Sequence, residues 1–190
     1  MVLRQLGNAG STDIFIAPVE ADAAPGGAGI RLGKPEVLLG SPFTETRAAL
    51  SPDGRWLAYA SNETGRFEVS VRPFSPQGGG TGGRWQVSVA GGGGPLWSRD
   101  GRELLFRTLD GRVMAAAYTT QGGSFAPGKS RVWTEVRVVT VGFARSYDIS
   151  PDGKRLAAVL LGDAEGEKLP TSLTVLLNFT DELRRRAGGR

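Results

Sequence analysis

Ser51-Pro52-Asp53-Gly54-Arg55 recurs as Ser98-Arg99-Asp100-Gly101-Arg102 and again as Ser150-Pro151-Asp152-Gly153-Lys154. The copies begin 47 and 52 residues apart. Each follows an apolar residue (Leu50, Trp97 and Ile149) and precedes a hydrophobic run. A second run then follows in every case: Phe67 to Arg72, Val113 to Tyr118, and Leu173 to Leu177. The S-x-D-G string has the chemistry of a type I hairpin turn. Ser opens it, Pro presets φ at the next position, and Gly takes the left-handed residue. Arg99 replaces proline in the second copy, which such a turn tolerates. Three copies with matching flanks mark one supersecondary unit repeated along the chain.

Outward from these turns the chain reads as short strands separated by Gly, Pro, Asp and Asn. Ile14 to Val19, Lys34 to Leu39, Trp56 to Ala60, Phe67 to Arg72 and Trp85 to Val89 are β-type runs, and the fourth and fifth alternate with period two. Leu104 to Phe106, Val113 to Tyr118, Arg131 to Trp133, Arg155 to Leu161 and Leu173 to Leu177 complete the set. Many strands of this length indicate an all-β sandwich, barrel or propeller. The repeat period, with four strands per unit, selects the propeller blade.

The S-P-D-G-[RK] turns, each before a strand such as Trp56-Leu57-Ala58-Tyr59-Ala60-Ser61, resemble the WD40-like (TolB-type, PD40) β-propeller repeats. The string from Gly65 to Phe74, then Trp85 to Ser88, then Pro95 to Gly101 is similar to one subgroup, as is the ending from Leu173 to Phe179 followed by Glu182-Leu183. That subgroup is the propeller region at the C-terminus of many bacterial eukaryotic-like serine/threonine protein kinases and related multidomain proteins. The resemblance extends from about Asp13 to Arg186. It implies an all-β fold of four-stranded antiparallel blades and a role in binding or sensing, with no cofactor. It also implies an extracytoplasmic position if the parent carries a transmembrane segment, and a cytoplasmic one if this chain is made alone.

On that pattern, residues 1–40 are the later strands of one blade and 41–90 form a blade. Residues 91–135 form another, 136–179 an incomplete last blade, and 180–190 a short helix and tail. The chain is therefore expected to be part of a larger ring, with about two full blades and two incomplete ones. Its partners would include the remaining blades of a parent chain, or a second copy. The C-terminal helix is expected because Thr180 suits an N-cap, Asp181 and Glu182 the first turn, and Arg184 to Arg186 the last.

Composition narrows the function further. With neither histidine nor cysteine among 190 residues, a Ser-His-Asp or Cys-His nucleophile is impossible. So are an iron–sulfur cluster and an ordinary zinc site. Kinase chemistry lacks its H-R-D histidine, and no D-F-G or V-A-I-K string is present. The formal charge of +4 comes from Arg184, Arg185, Arg186 and Arg190 at the end of the chain. The other cations alternate with acids, which argues against a nucleic-acid partner. The first residues lack a signal-peptide core, and the longest apolar run, Leu156 to Leu161, falls far short of the ~20 residues that span a bilayer. No membrane insertion by this chain is expected.

Glycine is abundant, 29 of 190 residues, about twice the common share. Gly78 to Gly83 matches G-x-G-x-x-G, but a strand follows it where a dinucleotide site needs a helix, so it reads as an inter-strand loop. Asp53, Asp100 and Asp152 occupy equivalent turn positions, where Asp bonds its own backbone, so a structural role outweighs a metal role. The repeat-turn residues are thus Ser51, Asp53, Gly54, Ser98, Asp100, Gly101, Ser150, Asp152 and Gly153. Trp56, Trp85, Trp97 and Trp133 lie in or beside strands, where blade packing explains most of them. Trp85, Trp97 and Trp133 are the candidates for an interaction surface, since Trp is enriched at interface hot spots. The expected function is a non-catalytic binding or sensing module for a protein or peptide. The alternatives are the substrate-gating propeller of a prolyl oligopeptidase-type peptidase, or a TolB-like periplasmic accessory protein.

Overall fold

A computed structural model describes residues 2–6, 12–21, 30–75, 82–140 and 146–160. These residues form 16 strands and no helix. The expected helix at 180–190, the last strand at Leu173 to Phe179, and Gly78 to Thr81 of the glycine loop lie outside the described residues.

Four antiparallel sheets follow one another along the chain. The first joins β1 (Val2–Leu6), β2 (Thr12–Ile16) and β5 (Glu36–Leu39), with β3 (Val19–Ala21) and β4 (Ile30–Leu32) as a hairpin that prolongs it. The second is the meander β6 (Glu45–Leu50), β7 (Trp56–Ser61), β8 (Glu68–Pro73) and β9 (Trp85–Gln86). The third runs β10 (Gly93–Trp97), β11 (Glu103–Arg107) and β12 (Val113–Gln121), and β14 (Arg131–Thr134) closes it as fourth strand. Its β12 overshoots the sheet and turns back through β13 (Ser124–Pro127). The fourth sheet holds β15 (Tyr147–Ile149) and β16 (Leu156–Ala158). These are propeller blades: the described residues are all-β and stack the sheets face to face.

Stacking explains the residue pattern. All six residues of β7 are buried, as expected of a strand covered on both faces. Leu57 and Tyr59 face the first sheet, where Ile14, Leu38 and Leu39 meet them. Trp56 and Ala58 face the third sheet and pack with Val69, Val71, Leu104, Phe106 and Ala116. The third sheet repeats the division, since Leu105, Val113 and Ala115 turn toward Tyr147 and Ile149 of the fourth. One side-chain hydrogen bond also crosses each junction. Thr12 Oγ1 donates to Glu45 O (2.8 Å), Trp97 Nε1 to Ala49 O (3.0 Å), and Tyr147 Oη to Gly94 O (2.7 Å). The accepting carbonyls all belong to an innermost strand, β6 or β10.

Those innermost strands carry the weakest sequence signal. Glu45-Thr46-Arg47 opens β6 and Gly93-Gly94-Pro95 opens β10, so period-two reading passes over both. Each contains a register shift, between Thr46 and Ala49 and between Gly93 and Leu96. Inside each bulge one residue is left-handed: Gly94 at φ 60° and Arg47 at φ 54°. A left-handed L-residue costs roughly 1–2 kcal/mol, whereas glycine sits there freely. Arg47→Gly is therefore expected to raise stability by about 0.5–1 kcal/mol after the entropy of the unfolded glycine is subtracted. Urea unfolding checks this, and a destabilised variant would show that the Arg47 side chain outweighs its backbone strain.

Two strands differ from expectation. β9 ends at Gln86 instead of running to Val89. After Val87 bonds Val69 O (2.8 Å), the Ser88 hydroxyl takes the Val69 amide (2.8 Å), replacing a ladder bond and bending the chain away. The run expected from Arg155 to Leu161 shortens to β16, with an isolated bridge at Leu160 to Val138.

Candidate interaction surface at the turn end

The three S-x-D-G turns link the first and second strands of their sheets and lie at one end of the stack. They are built alike. The Ser carbonyl accepts the Gly amide at 2.9, 3.0 and 2.8 Å, for Gly54, Gly101 and Gly153. The Ser hydroxyl donates to the Asp carboxylate in each copy. The same hydroxyl accepts an amide of the next strand: Trp56 at 3.0 Å, Glu103 at 2.9 Å and Arg155 at 2.9 Å. The carboxylate then accepts the amide two residues on, at 3.1 to 3.2 Å. Gly54, Gly101 and Gly153 have φ of 69°, 66° and 69°, a backbone only glycine takes without strain.

These bonds set the acidity of the carboxyl groups. At Asp53 partial burial opposes ionisation, but the Ser51 hydroxyl and the Arg55 amide outweigh it and hold the carboxyl low. The Ser98 hydroxyl and Arg102 amide lower Asp100, and the Ser150 hydroxyl and Lys154 amide lower Asp152. A depressed folded value gives stability that is present above the ordinary carboxyl value of 3.8 and lost as the pH falls through the folded values. Stability is thus expected to fall below about pH 4, more gently once Asp53, Asp100 and Asp152 are together asparagine. Urea midpoints measured against pH check this; equal acid limbs would sink it.

Thr108-Leu109-Asp110-Gly111-Arg112 repeats the same chemistry at the opposite end, between β11 and β12. Thr108 O accepts the Gly111 amide (3.1 Å), and the Thr108 hydroxyl donates to Asp110. In sequence it has the form [ST]-x-D-G-R, a signal the three longer-spaced copies overshadow. It falls off the long period because it closes the second hairpin of a blade and not the first.

The tryptophans divide. Trp97, 5% exposed, is inside the junction of the second and third sheets. Trp85 sits edge-on to Trp56 at 5.7 Å in the same junction, partly buried. Trp133, on β14, is half-buried and helps line a cleft of about 250 Å³ between the third and fourth sheets, with Ser98, Glu103, Asp152 and Gly153. Tyr118 lies beneath the turns, stacked on Phe125 at 4.8 Å. Burial, aided by Asp53 and Asp100, pushes its hydroxyl up to about 12.

A second groove, of about 400 Å³, opens along the free inner edges of β6 and β10 at the turn end. Ala48, Ala49, Leu50, Pro52, Leu96 and Trp97 form its walls, and Arg99 is its one charged lining residue. Arg99 also lines the cleft beside Trp133, so it stands between the two hollows. In the sequence Arg99 registers only as a tolerated replacement for proline. The two hollows beside it are completed by residues about one blade away in sequence, Ala48 to Pro52 on one side and Ile149 to Gly153 on the other, which a local pattern does not register.

Elsewhere, buried Glu45 (3% exposed) accepts the Ser41 hydroxyl (2.6 Å), and burial, together with nearby Asp13, outweighs that bond and raises its pKa above the ordinary carboxyl value. Among the described residues, no three acidic side chains come together as a metal cluster.

No family model matches this chain, and no curated protein matches it. Among solved structures it is similar to the crystal structure of TolB from Acinetobacter baumannii, with a TM-score of 0.30 and 17% identity over 82% of this chain. The chain spans 44% of that structure.

Proposed function

We propose that this chain is a non-catalytic binding module that holds a protein or peptide partner at the turn end of its blades. The observation that carries the proposal is the pair of hollows flanking Arg99, one largely apolar and one lined in part by Trp133, on a scaffold of stacked sheets. Rigid sheets fix the walls, so little ordering cost remains for the protein when a partner arrives. The composition agrees with binding without bond chemistry, since it holds no histidine or cysteine to act as base or thiolate. The finer assignment, to the C-terminal propeller of a receptor-like kinase or a related multidomain protein, is supported by the resemblance of residues 65–101 and 173–183 alone.

Selection of a displayed random-peptide library against the immobilised chain tests the reading. Enriched peptides are expected to protect amides near Leu50, Trp97 and Gly153 from hydrogen exchange. No enrichment over a library passed across bare support would overturn it, as would protection confined to the opposite end near Gly111.

A further inference from the structure

We infer that the groove between β6 and β10 takes the free C-terminus of a peptide whose last residue is apolar, with its carboxylate on Arg99. This rests on the binding-module reading and names the ligand for one of its two hollows.

Three observations lead there. The first is chemical contrast: aliphatic side chains, Pro52 and Trp97 line the groove, Leu50 stays 37% exposed, and the lone charge is cationic. The second is that Arg99 is exposed and has no hydrogen bond or ion pair with any described residue. Arg66, Arg84, Arg112 and Arg131 each have a carboxylate partner. The third comes from the repeat. Proline occupies this position at Pro52 and Pro151, and the turn around Arg99 closes through the same hydrogen bonds and the same left-handed glycine. The Arg99 side chain therefore takes no part in building its turn.

Why a terminus and not an internal acid follows from strand geometry. In an extended peptide neighbouring side chains point to opposite faces, and the next one on the same face lies roughly 7 Å along. An internal Asp or Glu on Arg99 would thus turn its adjacent apolar neighbour out of the groove. A C-terminal Leu, Val or Phe presents carboxylate and apolar side chain from one Cα.

The test uses the whole chain and a labelled peptide, Ala-Ala-Val-Leu, as free acid and as C-terminal amide, read by fluorescence anisotropy. A third peptide, Ala-Asp-Val-Leu amide, supplies an internal acid. The free acid is expected to bind about tenfold more tightly than either amide, the scale of one charge-assisted contact. Arg99→Pro, which restores the repeat's own residue and so preserves the turn, is expected to abolish that preference. Arg99→Lys should keep part of it, and raising the salt should weaken it. Equal binding of acid and amide, an unchanged preference in Arg99→Pro, or no binding at millimolar peptide would each overturn the inference. If the peptide selection still yields binders that protect the cleft beside Trp133, the binding-module reading stands and only this groove assignment fails.

Discussion

Phe125→Ala is expected to lower the stability of the chain by about 3–5 kcal/mol, the range for emptying a buried aromatic site. Phe125 is 1% exposed although it sits on a hairpin, β13, that overshoots its own sheet. It earns that burial by reaching into the junction of the second and third blades. Its ring lies 5.3 Å from Trp56, 6.2 Å from Trp85, 6.1 Å from Trp97 and 4.8 Å from Tyr118. Four aromatic neighbours rigidly held on two sheets cannot collapse into the space, so the cavity term is added to the lost transfer energy. Urea unfolding followed by tryptophan fluorescence measures the loss. Phe125→Leu, which keeps much of the volume, should cost about 1–2 kcal/mol. A loss below about 1 kcal/mol for the alanine variant would mean that the hairpin is not part of the blade junction.

Glu68→Ala should be the most costly polar substitution, at about 3–5 kcal/mol. Glu68 is 3% exposed at the start of β8. Its Oε1 accepts the Gly91 amide at 2.9 Å and Arg66 Nε at 2.7 Å, and its Oε2 accepts the Ser88 hydroxyl. Ser88 in turn accepts the Val69 amide. One carboxylate thus ties the segment that connects the second blade to the third, and its removal strands two buried donors. Glu68→Gln keeps an acceptor oxygen and should lose about half as much. Arg66→Ala should cost only about 0–1 kcal/mol, because that guanidinium is more than half exposed. Faster amide exchange at Gly91 and Val69 in Glu68→Ala would locate the damage; unchanged exchange there would show that the network does not hold the connection.

The repeat turns were legible because their chemistry is local. Ser, Asp and Gly within four residues make every bond the turn needs, so the string alone implies its geometry. Strand β7 was legible for a related reason, as a run of apolar residues directly after a turn. The inner strands were not, because β6 and β10 owe their pairing to bulges and to neighbouring blades and not to alternation. Arg47 shows this directly: nothing in its neighbours forecasts a left-handed arginine. The hairpins β3–β4 and β12–β13 escaped notice as well, since Phe125 looks like a loop aromatic until the facing blade supplies its partners.

By itself the sequence determined that the chain is built from successive antiparallel propeller-type sheets, and where their first turns fall. It also determined that no chemistry needing histidine or cysteine is available. Only the tertiary structure decided what the departures from the repeat do. It placed Trp97 inside a blade junction, set Trp133 in the lining of a cleft, and left Arg99 exposed between two hollows. The physical reason is range. Turn bonds act over a few residues and are written in the local string, whereas junctions and grooves arise from surfaces about one blade apart in sequence, which meet only when the sheets stack.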